Sequence, residues 1–344
     1  MDNKKRIRFI SNPISGTKDK ELIYKNIESL LNTDLYTYEI CETEYAGHAA
    51  ELAKAAVKDG IEIVVAIGGD GTINEVASSV IHTHTALGII PCGSGNGLAR
   101  HLDIPMDSKK AIQILNEGLI HQLDYGKING KPFFCTCGVG FDAYVSFKFA
   151  EAGKRGLLTY LENTLSEGLR YKPETYLIED ETGEKKFKAF LIACANASQY
   201  GNNAYIAPQA SMKDGLMDIT IMEPFNALEA PQIALQLFSK TLNHNSHIKM
   251  FRTRKITIHR QKEGIIHCDG DPIMTGKDIE VEIINKDLYI VVNPEHTEKR
   301  KSQNILQILS DYFDDFSLIS NDLKPYNRGL QVLNKYMLRK LRKK

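Results

Sequence analysis

Apolar and polar residues change rhythm along this chain. Over the first third, short apolar runs alternate with stretches of helical period. Arg6–Ser11 reads as a strand, Lys20–Asn32 as a helix, Tyr36–Glu42 as a strand, and Gly47–Asp59 as a helix that Gly60 can close. Ile61–Ile67 is almost unbroken apolar sequence, the pattern of a strand covered on both faces. A helix is predicted from Thr72 to about Ile81, then a buried strand over Ala86–Pro91. This βαβα order predicts a parallel sheet with helices on both faces. Near Leu123 the rhythm shifts to short β-branched runs with hairpin turns. Asn129-Gly130 separates one pair, and Glu181-Thr182-Gly183 separates Thr175–Glu179 from Lys186–Ala193. Further strands are predicted at Met217–Met222, Lys255–His259, Ile265–Cys268, Ile279–Ile284 and Leu288–Val292. They predict an antiparallel β-sandwich, interrupted by helical patches at Leu157–Gly168 and Ala227–Leu242. After Pro294 the chain turns helical and charged again. The division expected is an α/β domain over 1–124, a β-sandwich domain over 125–294, and a helical extension over 295–344.

Length supports two domains, since 344 residues exceed what one small core needs. Lys plus Arg and Asp plus Glu balance at 43 each, so no net charge draws the chain to nucleic acid. The last 17 residues, from Arg328, carry only basic charge. Within them Leu330, Leu333, Met337 and Leu341 share one helical face, with Lys335, Arg339 and Arg342 roughly opposite. Such a segment can lie on anionic lipid or dock on the protein with its basic face in solvent. The six cysteines lack a zinc-type spacing and read as small buried apolar residues in a reducing compartment. No leader-like apolar run follows the basic start, and no stretch approaches eighteen apolar residues. A cytoplasmic protein is expected, one that reaches any lipid from outside the bilayer.

Candidate chemistry lies in the glycine-rich turns. Gly68-Gly69-Asp70-Gly71-Thr72 sits where a buried strand ends and a helix starts. Glycine permits close backbone approach, and a helix N-terminus offers free N–H groups and a positive dipole end to a phosphate. Asp70 among those donors can act through a bridging cation or take a proton from an attacking hydroxyl. A second loop, Pro91-Cys92-Gly93-Ser94-Gly95-Asn96-Gly97, follows the next buried strand. A third, Ser11-Asn12-Pro13-Ile14-Ser15-Gly16, follows the first. None is a Walker A sequence. Together they predict one ligand crevice at the strand ends.

The ordered set of motifs resembles the diacylglycerol kinase and sphingosine kinase family of lipid kinases. The likeness is carried by Asn12-Pro13 with Ser15-Gly16, Thr43 with Gly47-His48, GGDGTINEV and PCGSGNGLAR. It continues through Gly138–Asp142, Ile206-Ala207-Pro208 with Asp214–Asp218, and Cys268-Asp269-Gly270-Asp271. The resemblance implies ATP and Mg²⁺ as cofactors, a nucleotide cleft between an NAD-kinase/phosphofructokinase-like domain and a β-sandwich, and a lipid alcohol as acceptor. It implies nucleotide contacts from Asn12, Thr43, Gly68, Gly69, Gly71, Thr72, Gly93, Ser94 and Asn96. Lys154 and Arg155 fall where the family places phosphate-contacting bases. Asp70 resembles the sphingosine-kinase base, and Asp271 stands where bacterial diacylglycerol kinases have a glutamate. The shorter side chain at 271 favours Asp70. Asp269 is expected in a Mg²⁺ or water network, Asp142 beside substrate, and Asp214 with the Leu216 carbonyl at a structural Mg²⁺.

Two substrates compete. The GSGN run resembles the sphingosine and ceramide kinase version, which favours a sphingoid base slightly over diacylglycerol. An NAD-kinase-like enzyme shares GGDGT but lacks the second loop and the DGLMD stretch. A non-catalytic nucleotide-binding membrane adaptor would not need Asp70, Asp269 and Asp271. Peripheral contact at the inner membrane face is expected, no nucleic acid is, and oligomeric state stays open.

Overall fold

The computed structural model describes residues 4–296 except 17, 153–167, 169–170 and 227. The basic C-terminal segment, Lys154 and Arg155, and the patch at Leu157–Gly168 up to its last residue lie outside the described residues. In the first part β1 (Lys5–Ser11), β2 (Tyr36–Glu42), β3 (Ile63–Gly68) and β4 (Ala86–Pro91) form parallel pairs in the order β2-β1-β3-β4. Helices α1 (Lys20–Leu30), α2 (His48–Lys58), α3 (Asp70–Val80), α4 (Gly97–His101) and α5 (Ser108–Glu117) connect and cover them. Every residue of β3 and β4 is buried, as the unbroken apolar runs require. Local chemistry sets the helix ends. Asp19 caps α1 and Asp107 caps α5, each accepting a backbone N–H at 3.0 Å, and Gly118 closes α5 in the left-handed conformation.

The second part supplies β5 (Ile120–Ile128), β6 (Lys131–Phe133), β7 (Thr136–Gly140), α6 (Phe141–Ala152), β8 (Glu174–Asp180), β9 (Gly183–Ala189), β10 (Leu191–Ala195) and β11 (Met217–Met222). Then come α7 (Ala230–Phe238), β12 (Ile248–Thr253), β13 (Lys255–Arg260), β14 (Gly264–Cys268), β15 (Asp271–Thr275) and β16 (Asp278–Val291). One face of the sandwich is antiparallel, in the order β12-β11-β10-β7-β14-β15. The other face is continuous with the parallel sheet. Strand β16 pairs antiparallel with β5 and β13, then parallel with β4 through Ile290 and Leu87. The sheet thus runs β2-β1-β3-β4-β16-β13-β8-β9.

Two predicted elements change form. Lys186–Ala193 divides at Phe190, with β9 in the long sheet and β10 in the other. The burial pattern explains the switch: β9 is mostly exposed, whereas β10 is buried throughout. Ile279–Ile284 and Leu288–Val292 belong to one strand, β16, whose register shifts between Ile284 and Leu288. Lys286 sits there at φ 50° and donates its N–H to Asp124 at 2.8 Å. The Ala227–Leu242 patch holds the shorter α7 and a 3₁₀ turn at Leu242–His244.

The core of the sandwich includes Phe133, whose ring lies over Gly126 of β5. A Cβ added at Gly126 would meet the Phe133 ring at 2.0 Å. Gly126→Ala is therefore expected to cost about 1–3 kcal/mol of overpacking, read as a lower urea midpoint with an unchanged slope.

Candidate active site

Parallel pairing sets the ends of β1 to β4 side by side, and three loops leave from that edge. Their backbones pack too closely for most side chains. A Cβ on Gly16, which has φ +66°, would lie 1.8 Å from the Cys92 carbonyl oxygen. A Cβ on Gly93 would lie 2.8 Å from the Gly69 Cα. These glycines are therefore required by contact between loops. Lys18 ties the first loop to the second, donating to the carbonyls of Pro91, at 2.8 Å, and Met106. Burial lowers the Lys18 pKa. Asn12 accepts the Ile14 N–H at 3.2 Å and points its amide at Thr72 Oγ1, 3.4 Å away.

The two helix N-termini at this edge are unlike. Asp70 accepts the N–H groups of Asn96 and Gly97, one on each carboxylate oxygen, both at 2.8 Å. Its negative charge thus sits between the first turn of α3, to which it belongs, and that of α4. No side chain caps the N-terminus of α3. A Cβ at Gly71 would meet nothing within 4 Å, so the approach to that terminus is open. Asn96 is buried in the left-handed region at φ 50°, and its side chain turns back on Gly93, accepting that N–H at 3.2 Å and donating to its carbonyl. Asn12, Thr43, Gly68 to Thr72, Gly93 and Asn96 therefore share one edge of the fold. Thr43 is buried and donates its backbone N–H to Ser11 at 2.8 Å.

The sandwich brings its own carboxylates. Asp269, at φ 49°, accepts three backbone N–H groups, from Phe134, Cys135 and Thr136 at 2.7–2.9 Å. Burial pushes its pKa up to about 6, against those three donors, which favour the ionised form. Two residues on, Asp271 lies at an exposed position. Its pKa is raised, first by partial burial of the carboxyl and next by the negative charge of Asp70, with Glu75 adding to the effect. The structure thus brings Asp70 and Asp271 within electrostatic reach, although their elements lie far apart in sequence. Asp142 is buried and already has three donors: the Ala143 N–H at 2.8 Å, the Tyr200 hydroxyl at 3.0 Å and His267 Nε2 at 3.0 Å. His267 accepts the Gly270 N–H on Nδ1, so its Nε2 carries the proton donated to Asp142.

Asp214 lies elsewhere, in the turn before β11. It accepts the Leu216 N–H at 3.1 Å and pairs with Arg252 at 3.5 Å. Beside it the fully buried Asp124 accepts from Gly215 and Lys286 at 2.7 and 2.8 Å. Among the described residues no group of three or more His, Cys, Asp or Glu side chains has metal-binding geometry. Mg²⁺ accompanying a nucleotide needs fewer protein ligands, because phosphates and water fill most of its octahedron. The start of α3, with Asp70 in its first turn and Asp271 within electrostatic reach, fits such a complex.

Several residues here carry no motif of their own. Lys18, Asp124 and Tyr200 show no spacing that would single them out. Glu75 lies inside GGDGTINEV, but its partners do not: it accepts from Gly47 and Ala49 at 3.0 and 3.1 Å and so caps α2. That role becomes visible once α2 and α3 are known to pack together.

A glycine-lined edge on a parallel sheet, joined to a sandwich bearing a carboxylate turn, is the arrangement of a phosphotransferase of two-domain α/β and β-sandwich type. Residues 6–128 match the model of the diacylglycerol kinase catalytic domain, and residues 135–292 match the YegS C-terminal NAD kinase beta sandwich-like domain. The chain is 28% identical over 309 residues to a diacylglycerol kinase of Bacillus subtilis, covering 86% of this chain and 99% of that protein. It is 30% identical over 279 residues to a diacylglycerol kinase of Mycobacterium tuberculosis, covering 77% and 88% respectively. A crystal structure of a diacylglycerol kinase from Bacillus anthracis superposes with a TM-score of 0.66 at 18% identity, over 85% of this chain and 98% of that one, which establishes the shared fold. The chain belongs to the diacylglycerol kinase family and is a lipid kinase of that type.

The charge coupling in the cleft can be measured. In Asp70→Asn the Asp271 carboxyl, followed by carboxyl carbon NMR, is expected to titrate at lower pH than in the parent protein, because one negative neighbour is gone. An unchanged Asp271 titration would separate the two groups.

Proposed function

We propose that the protein transfers the γ-phosphoryl group of ATP to the free hydroxyl of diacylglycerol or a closely related glycerolipid. The observation carrying this reading is the set of glycine loops gathered at the ends of β1, β3 and β4, in which Asp70, in the first turn of α3, also holds the first turn of α4 through two N–H groups. In the reaction the lipid hydroxyl oxygen attacks the γ-phosphorus, the bond to the ADP oxygen breaks, and the hydroxyl proton must leave. Asp271 is exposed and its pKa is raised, both of which suit a base working nearer neutral pH. Asp70, with two backbone donors in place, is read as the group that holds the loops and sets the electrostatics around Asp271. This moves the proton-accepting role from the residue favoured on sequence to the other candidate.

The N–H groups at the start of α3, with Asn12 and Thr72, would orient the phosphates. Mg²⁺, when bound, supplies charge neutralisation on those phosphates. Asp269 would fix the turn that presents Asp271. Asp142, with three donors already, is read as a positioning group for His267 and Tyr200 and not as a contact for a substrate amine. That loss of a ready amine partner, with the names borne by the relatives, favours a glycerolipid over the sphingoid base suggested by GSGN. Among the described residues no helix is long and apolar enough to cross a membrane, so lipid is proposed to be met at the bilayer surface.

Purified protein given labelled ATP, Mg²⁺ and a panel holding diacylglycerol, monoacylglycerol and sphingosine is expected to label diacylglycerol first. Label on sphingosine alone would reverse the substrate assignment. Asp271→Glu is expected to stay active, and Asp271→Ala to lose roughly 10²–10⁴-fold in kcat. A base must be ionised, so kcat/KM should fall as pH drops through the Asp271 pKa. Because that pKa is raised, the fall should begin at higher pH than for an ordinary aspartate. Full activity in the alanine variant would remove Asp271 from the chemistry.

A further inference from the structure

Helix α7 has an unusual surface. From Ala230 to Ser239 it carries no ionisable side chain, and of its residues only Ile233 is buried. Leu228, just before it, is 92% exposed, and Leu235 is 52% exposed. Pro231 and Ala234 are exposed as well. Water-facing helices ordinarily alternate apolar residues with charged ones. This one presents an uncharged, leucine-bearing face to solvent.

The rim is compatible with a negatively charged surface. Glu229 pairs with His247 at 3.1 Å, and Glu223 pairs with Lys249. Lys240, past the end of the helix, lies over the Tyr205 ring at 4.3 Å. Behind the helix, Ile233 belongs to an apolar cluster that includes Ile206, Phe190 and Phe141. Phe141 is the neighbour of Asp142. The exposed face and the segment bearing Asp142 therefore border the same apolar cluster.

We infer that the α7 face, with Leu228 and Leu235 as its anchors, docks the enzyme on the membrane surface by inserting into the headgroup boundary. This rests on the reading that the substrate is a membrane lipid. A second copy of the chain fits the face less well. Four short side chains do not supply the roughly 800 Å² per partner of a standard protein interface. Shallow insertion of a few apolar side chains needs no such area.

The sequence contains no tryptophan, which gives a direct test. Leu228→Trp in the full chain introduces a single indole at a solvent-exposed position. On adding phosphatidylglycerol–phosphatidylethanolamine vesicles without ATP, its emission is expected to move to the blue and to be quenched by brominated lipid. Emission that stays water-like while the protein sediments with the vesicles overturns the inference. The double variant Leu228→Asp, Leu235→Asp is expected to lose about tenfold in vesicle partitioning while keeping activity on detergent-dispersed lipid. Unchanged partitioning, or a parent dimer that this variant dissociates, also overturns it. A blue shift without any lipid phosphorylated supports docking and sinks the kinase substrate reading. Phosphorylated lipid without a shift does the reverse.

Discussion

The carboxylate of Asp70 bonds the start of α3 to the start of α4, and the rest of the site depends on that bond. Two glycine loops leave adjacent strands, and either alone would be a flexible turn. By accepting the Asn96 and Gly97 N–H groups, Asp70 joins them into one wall. The glycines follow from the same constraint. Gly95 has to lack a side chain because a Cβ there would meet the Asp70 carboxylate at 2.6 Å. Gly93 and Gly16 are likewise limited by neighbouring backbone. Within this wall the N–H groups of Gly93, Asn96 and Gly97 are already taken by Asn96 and Asp70, which fixes the loops against each other.

Charge in the cleft then follows from geometry. Asp70 neutralises one helix dipole and Glu75 another, at α2, and both act at a distance on Asp271. Asp269 uses its oxygens on three backbone donors and so fixes the Asp271 turn without needing to reach the cleft itself. The acidic groups of this region therefore divide by hydrogen-bond occupancy. Those bonded to backbone, Asp70 and Asp269, organise the loops, which is why the proposed proton acceptor is Asp271.

Much of this was legible in the sequence, for identifiable reasons. Ile63–Gly68 and Ala86–Pro91 had to be buried strands, and glycines after both had to serve a common edge. The βαβα order and the later hairpin rhythm gave the two-part fold. What escaped prediction depends on contacts distant in sequence. Nothing local in Lys186–Ala193 reveals that Phe190 carries the chain from one sheet to the other. Nothing near Lys18 reveals that its amine will serve the carbonyls of Pro91 and Met106. Asp142 was visible as a conspicuous acid after Gly138–Phe141, but its occupancy by Tyr200 and His267 needs three separate segments. Hydrogen-bond occupancy, the property that separates Asp70 from Asp271, is a feature of tertiary structure alone.

The path of β16 has a further consequence for how this chain can be divided. The strand leaves the sandwich, crosses a register shift at Lys286, and ends beside β4. The nucleotide-side sheet is thus finished by residues that come at the far end of the sandwich sequence. A fragment stopped after α5 would carry β4 as a bare apolar edge, every residue of which is buried in the whole protein. Unpaired edges of that kind recruit other chains. Although two family models divide the sequence neatly, the ten-stranded sheet takes strands from both segments. The smallest self-contained piece of this architecture extends from β1 to the close of β16, which gives gene fusion or truncation little freedom between those limits.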